Sequence, residues 1–251
     1  MVITDSVAGF SIGQVIDRTF SVVRRNLVAF LIAALLIMAP VLAIDLYNGT
    51  PSSFGAKSFA LRALAALIQF ACTYLLQASL VQSTITDLNG ERAELGQALS
   101  AGFNLVLPVT VIVVLSILGL LVGTLLLVVP GIMLAMAWSV AVPVKVVERT
   151  SIRDSFGRSL YLTRGYRWRI FGLVVIYFII SVLLGFVAAL IMGVSLVGAG
   201  QALHNTPYLV LQWLLSVILA IFTAVGITAV YYELRTVKEG MAPQELAAAF
   251  D

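Results

Sequence analysis

"KVVERTSIRDSFGRSLYLTRGYRWR", residues 145–169, decides how this chain is threaded. It holds seven of the fifteen Lys and Arg residues against two carboxylates, between two strongly apolar stretches. The chain of 251 residues is 61% hydrophobic and 11% charged, with a mean hydropathy of +1.07. That composition lies well outside the range of water-soluble domains. Apolar runs long enough to cross a bilayer, about 20 helical residues, recur along it. The reading is an all-α membrane protein. The net charge of +3 does not point to a nucleic-acid partner, because the basic residues flank apolar helices instead of forming a soluble patch.

Apolar runs occupy 27–44, 63–81, 105–129, 132–144, 170–197 and 208–232. Five are long enough to span. The fourth is cut short by Lys145, so it is either a re-entrant half-span or a full span whose lysine snorkels to the interface. Charge decides between them. With six spans and a cytoplasmic N-terminus, thirteen basic residues lie inside and only Lys57 and Arg62 outside. Without the fourth crossing, the cluster at 145–169 would face outward, against the positive-inside rule. Six spans with both termini cytoplasmic follow. Residues 1–26 carry Asp5, Asp17, Arg18, Arg24 and Arg25 and lack an apolar signal core, so the first run is expected to be an uncleaved span.

The basic loop has a helical pattern of its own. Ser151 as N-cap with Asp154 three residues on approximates a capping box. Ile152, Phe156, Ser159, Leu160 and Thr163 then share one face, and Arg153, Asp154, Gly157, Arg158 and Arg164 another. Such a helix is expected to lie in the membrane surface. Residues 11–25 repeat the arrangement, with Ser11 and Gln14 at the cap, and Ile12, Val15, Ile16, Thr19, Phe20 and Val23 on the apolar side. "IGQVIDRTF" (12–20) aligns with "LGQALSAGF" (95–103), and more weakly with "IRDSFGRSL" (152–160). The expected layout is a single polytopic membrane domain over 1–251, with a short cytoplasmic tail at 241–251. Its six transmembrane helices form three hairpins, each preceded by an amphipathic interfacial helix, in repeat-like units 11–86, 94–147 and 151–232. Chance likeness among amphipathic segments is the alternative.

Groups able to do chemistry are few. His204 is the single histidine and Cys72 the single cysteine. No acid cluster has metal-ligand spacing, and no phosphate-binding loop, serine elbow or zinc-protease motif occurs. No enzyme, metal or cofactor is expected. Two constellations remain. Arg149, Arg153, Arg158, Arg164, Arg167 and Arg169, with Tyr161, Tyr166 and Trp168 among them, are candidates for anionic lipid headgroups. Arg62, Gln69, Thr73 and Gln77 make a polar stripe on the second span, weakly echoed by Gln212, Ser216 and Thr223 on the sixth. Such a stripe either lines a hydrated path or hydrogen-bonds between helices. Glu148 and Glu233 lie near helix ends, where Arg149 and Arg235 are the expected ion partners. Pro143 is expected to redirect the chain into the surface helix, and "VVPG" (128–131) to form a turn.

The run "PGIMLAMAWSVAVPVKVVERTSIRDSFGRSLYLTRGYRWRIFG" (130–172) resembles the membrane domain attached to some bacterial glycerophosphoryl diester phosphodiesterases, a domain that also occurs free-standing. The likeness rests on Pro130, Gly131, Pro143, Glu148, Ser151, Ser159, Leu162, Thr163 and Gly165. It extends to Tyr232, Leu234, Arg235, Lys238, Glu239 and Gly240 of the closing "YYELRTVKEG". It implies a bacterial inner membrane and a helical bundle. It does not carry over phosphodiesterase activity, which belongs to a separate metal-binding barrel for which the chain to Asp251 is expected to leave no room. The expected role is non-catalytic: lipid binding, membrane organisation, or service as an accessory partner of another membrane protein or of a second copy. The alternative is a transporter or lipid-translocating permease.

Overall fold

The computed structural model describes residues 9–48, 56–90, 95–191 and 206–240. All regular structure among them is helical: α1 (Ile12–Asn48), α2 (Ala56–Leu88), α3 (Leu95–Leu126), α4 (Val128–Trp138), α5 (Ala141–Glu148), α6 (Ile152–Thr163), α7 (Arg167–Ile191) and α8 (Thr206–Glu239). Six stretches are long and apolar enough to cross a membrane: Ile12–Ile44, Leu64–Leu88, Gly102–Leu125, Val129–Glu148, Arg167–Ile191 and Pro207–Glu239. The chain is a multi-pass membrane protein. His204, Arg92 and the 241–251 tail lie outside the described residues.

Each interruption in these helices has a local cause. Pro143 cannot donate to the carbonyl of Ser139 and its ring crowds that group, so a helix breaks one turn before it. The break falls at Ser139–Val140, with Val140 at φ −104° and ψ 12°, and splits the fourth stretch into α4 and α5. "VVPG" is not the turn itself. Leu127 alone is extended, and Val128, Val129 and Pro130 already form the first turn of α4, where proline needs no hydrogen bond. Between α6 and α7, Gly165 supplies a φ of 94° that a side chain would resist. In α1 the non-helical residue is Asn26, not Pro40. Its Nδ2 donates to the Val22 carbonyl at 3.1 Å and to Asp87 Oδ1 at 2.7 Å, which holds the kink against α2.

Two cores meet along α8. One joins α1, α2 and α8 through Phe30, Leu76, Leu80, Val217 and Ile221. The other joins α5, α6 and the end of α8 through Val140, Val144, Leu162, Tyr231 and Leu234. The α3–α4 pair packs on glycine. A Cβ on Gly131 would come within 2.9 Å of the Thr124 backbone nitrogen, and one on Gly119 would overlap the Trp138 ring. By contrast, α7 buries only Ile170 and Ala188. It is tied to α8 by Tyr177, whose hydroxyl donates to the Leu219 carbonyl at 3.2 Å and lies 2.6 Å from Thr223 Oγ1.

The three aligned nonapeptides occupy comparable settings. Their eighth residues, Thr19, Gly102 and Ser159, are buried, against α8, α2 and α4 respectively. Their ninth, Phe20, Phe103 and Leu160, are exposed. The junction that follows differs in each. It is the Asn26 kink in α1, an uninterrupted helix in α3 and the Gly165 break after α6. The second nonapeptide therefore has no separate surface helix. Nothing between 95 and 107 interrupts the helix as Asn26 and Gly165 do.

Candidate lipid-contact site

α6 places the basic segment. Ser151 caps it as the spacing predicts: its Oγ accepts from the Asp154 N–H at 3.1 Å and donates to Asp154 Oδ2 at 2.6 Å. Its inward face matches the expected one except at Leu160, with Ile152 and Phe156 packed against the core. Ser155, Ser159, Leu162 and Thr163 are buried, whereas Leu160 is exposed. That face is small and polar because it meets a broken backbone. Ser159 Oγ donates to the Ala137 carbonyl at 2.8 Å, and Thr163 Oγ1 approaches the same oxygen at 3.3 Å. Non-helical backbone at membrane depth persists only where protein or water satisfies it, and here α6 does so. Ser159 and Thr163 are thus structural hydroxyls: periodicity groups them on one face, and only the packing of α6 gives them a partner.

The outward charges of the segment divide in two. Arg158 reaches both oxygens of Glu148, with Nε at 3.1 and 3.0 Å, and also pairs with Glu239. Arg235 Nε holds the other Glu239 oxygen at 3.0 Å. The Tyr231 hydroxyl donates to Glu148 Oε1 at 2.9 Å and accepts from Arg235 at 3.3 Å. Burial works against the charge on Arg158, but Glu148 and Glu239 more than offset it and hold its pKa above the ordinary guanidinium value. The network joins α5, α6 and α8. Beside it Arg18 of α1 pairs with Glu233 of α8, whose side chain is 3% exposed, and lies over the Tyr232 ring. Glu148 and Glu233 therefore do not pair with Arg149 and Arg235. Residues one or two apart on a helix do not face each other, and their real partners are supplied by other helices. Three of the residues that carry the resemblance, Glu148, Arg235 and Glu239, meet in this network.

Arg169 is also engaged: it donates to the Phe10 carbonyl and lies 5.9 Å from the Tyr166 ring centroid. Tyr161 and Tyr166 flank the Lys238 ammonium at 5.6 and 5.7 Å, so these rings face a cation of the protein itself. Lys145 bonds the Thr150 carbonyl, as a snorkelling lysine would. Arg149, Arg153 and Arg164 are exposed and have no protein partner among the described residues. Arg149 is the only non-glycine residue with positive φ among the described residues, at 49°, where it ends α5. Arg167 is half-buried, and its Nε is enclosed without an acceptor.

The polar stripe of α2 is less organised. Thr73 Oγ1 donates to the Gln69 carbonyl of its own helix at 2.8 Å, Gln69 is exposed and Gln77 is half-buried. The side chain of Arg62 lies outside the described residues. On α8, Ser216 bonds its own helix at the Trp213 carbonyl, and only Thr223 meets another helix. Among the described residues no three His, Cys, Asp or Glu side chains are placed to share a metal ion. No family model matches this chain, and neither a curated protein nor a solved structure is similar enough to match it.

Proposed function

We propose that this chain is a non-catalytic protein of a bacterial inner membrane that gathers anionic phospholipid headgroups at its cytoplasmic face. Both termini lie on that side, and the first nonapeptide and α6 lie at the membrane surface ahead of their spans, while the second is continuous with its own span. One observation carries the reading: Arg149, Arg153 and Arg164 are exposed and unpartnered beside a network in which neighbouring arginines are fully engaged. Charge that served only to orient the chain could have been paired like the rest. Arg149 adds weight, since a left-handed conformation costs an L-residue roughly 1–2 kcal/mol and glycine is the usual helix-ending residue there. The resemblance to the phosphodiesterase membrane domain is compatible with this role, as is service to a partner protein along the exposed faces of α3 and α7. A permease would need Gln69, Thr73 and Gln77 to line one path, and the hydrogen bond of Thr73 within its own helix gives that no support.

The test is reconstitution into nanodiscs of mixed phosphatidylglycerol and phosphatidylcholine, followed by quantification of the lipid retained. Each basic residue at an anionic surface is worth about 1 kcal/mol, or roughly fivefold. The triple variant Arg149→Gln/Arg153→Gln/Arg164→Gln should lose most of its phosphatidylglycerol enrichment at an unchanged unfolding temperature. Enrichment equal to that of the parent chain would refute the reading.

A further inference from the structure

Between α4 and the first turn of α7 lies a cleft lined by Val129, Ile132, Met133, Met136, Phe171 and the stems of Arg167 and Trp168. It offers about 70 Å³, well below the roughly 300 Å³ at which small-molecule pockets begin. A helix, about 10 Å across, could not enter it. A narrow aliphatic chain can. Apart from Arg167, and the Trp168 ring nitrogen, the lining is hydrocarbon or thioether. Trp168 is 72% exposed and its ring stands edge-on to Phe171, with centroids 5.9 Å apart. That is the amphipathic placement tryptophan takes at a membrane interface.

The second observation is polar. Arg167 Nε is enclosed and has no acceptor, and a buried donor left unsatisfied is costly, more so on a charged group. The terminal nitrogens of the same guanidinium are not enclosed, and an anion that meets them while apolar surface fills the cleft offsets the cost of the enclosed charge. A guanidinium matches a phosphate in geometry as well as charge. We infer that this cleft seats an acyl chain of a membrane phospholipid whose phosphate is held by Arg167 at its mouth. The inference rests on the lipid reading above but names a different place and a different part of the lipid. Arg149, Arg153 and Arg164 would gather headgroups loosely, whereas the cleft and Arg167 together would hold one molecule by its chain and its phosphate.

The test uses proteoliposomes containing a trace of phosphatidylglycerol with a diazirine in its acyl chain. Photo-crosslinks are mapped by peptide mass spectrometry. Labelling at Ile132, Met133, Met136 and Phe171 should exceed labelling at Ile179, Leu183 and Phe186, exposed farther along α7, by several fold. Arg167→Gln should abolish that excess, while Arg149, Arg153 and Arg164 remain intact and headgroup enrichment persists. Met133→Trp, which fills the cleft and keeps Arg167, should lower the labelling on its own and guards against a misfolded Arg167 variant. Even labelling along α7, or an excess that survives both substitutions, would overturn the inference without touching the enrichment experiment.

Discussion

Arg153 and Arg158 stand five residues apart on α6 and do opposite things. Five residues turn a helix by about 140° beyond a full circle. Arg158 therefore meets Glu148 and Glu239, while Arg153 meets no protein group among the described residues. Identical side chains thus differ by what the opposite surface supplies. Toward α5 and α8 the fold provides carboxylates and a tyrosine hydroxyl. Away from them none of the described residues offers an acceptor, and the charge is left for the surroundings. Basic residues near membrane helices are often treated as one topological signal, but here they form a rigid part and an available part.

The sharpest break in that contrast is Arg18→Ala. It strands a Glu233 carboxylate that is almost wholly enclosed, and removing one member of a buried pair costs about 3 kcal/mol or more. A large fall in the thermal unfolding midpoint in detergent is expected, with Glu233→Gln in the same chain restoring much of it. Arg158→Gln comes next. It removes charged hydrogen bonds from two carboxylates, each worth roughly 1.5–3 kcal/mol when fully formed, and its partial exposure puts the expected loss toward about 2 kcal/mol. Unfolding of Arg158→Gln, Glu148→Gln and the double variant would close a cycle that isolates the coupling of this pair.

Ser159→Ala with Thr163→Val leaves the Ala137 carbonyl without its α6 donors, at about 1–2 kcal/mol. Proteolysis at 149–151 should then rise as α6 loosens, a change that Arg153→Gln should not produce. The smallest effects belong to the available set. Arg153→Gln should move stability by no more than about 0.5 kcal/mol. Arg149→Gly should stabilise the fold by about 1 kcal/mol by relieving the left-handed strain, while phosphatidylglycerol enrichment drops. A stabilised variant with undiminished enrichment would show that the arginine is strained for some other reason.

Much of the architecture was legible because hydrophobic runs and helix caps are local. The six spans, the start of α6 at Ser151 and the boundary before Leu27 depend on residues within a turn or two of each other. The kink at Asn26 falls at that boundary, although its lock, Asp87, is sixty-one residues away and no periodicity reports it. The break before Pro143 follows from proline chemistry, yet its consequence, an orphaned carbonyl met by Ser159 and Thr163, needs α6 to be in place. The ion partners of Glu148 and Glu233 were misjudged for the same reason. Neighbours along the chain were offered where neighbours in space decide.

By itself the sequence determined that this chain is helical, crosses a membrane repeatedly and concentrates positive charge at 145–169, because burial of apolar runs and helix propensity act through the residues of each segment. Only the tertiary structure decided which arginines are engaged and which are left over. A charge is neutralised by whatever lies within a few ångströms of it, and in this protein those groups come from α1, α5, α6 and α8, brought together from opposite ends of the chain.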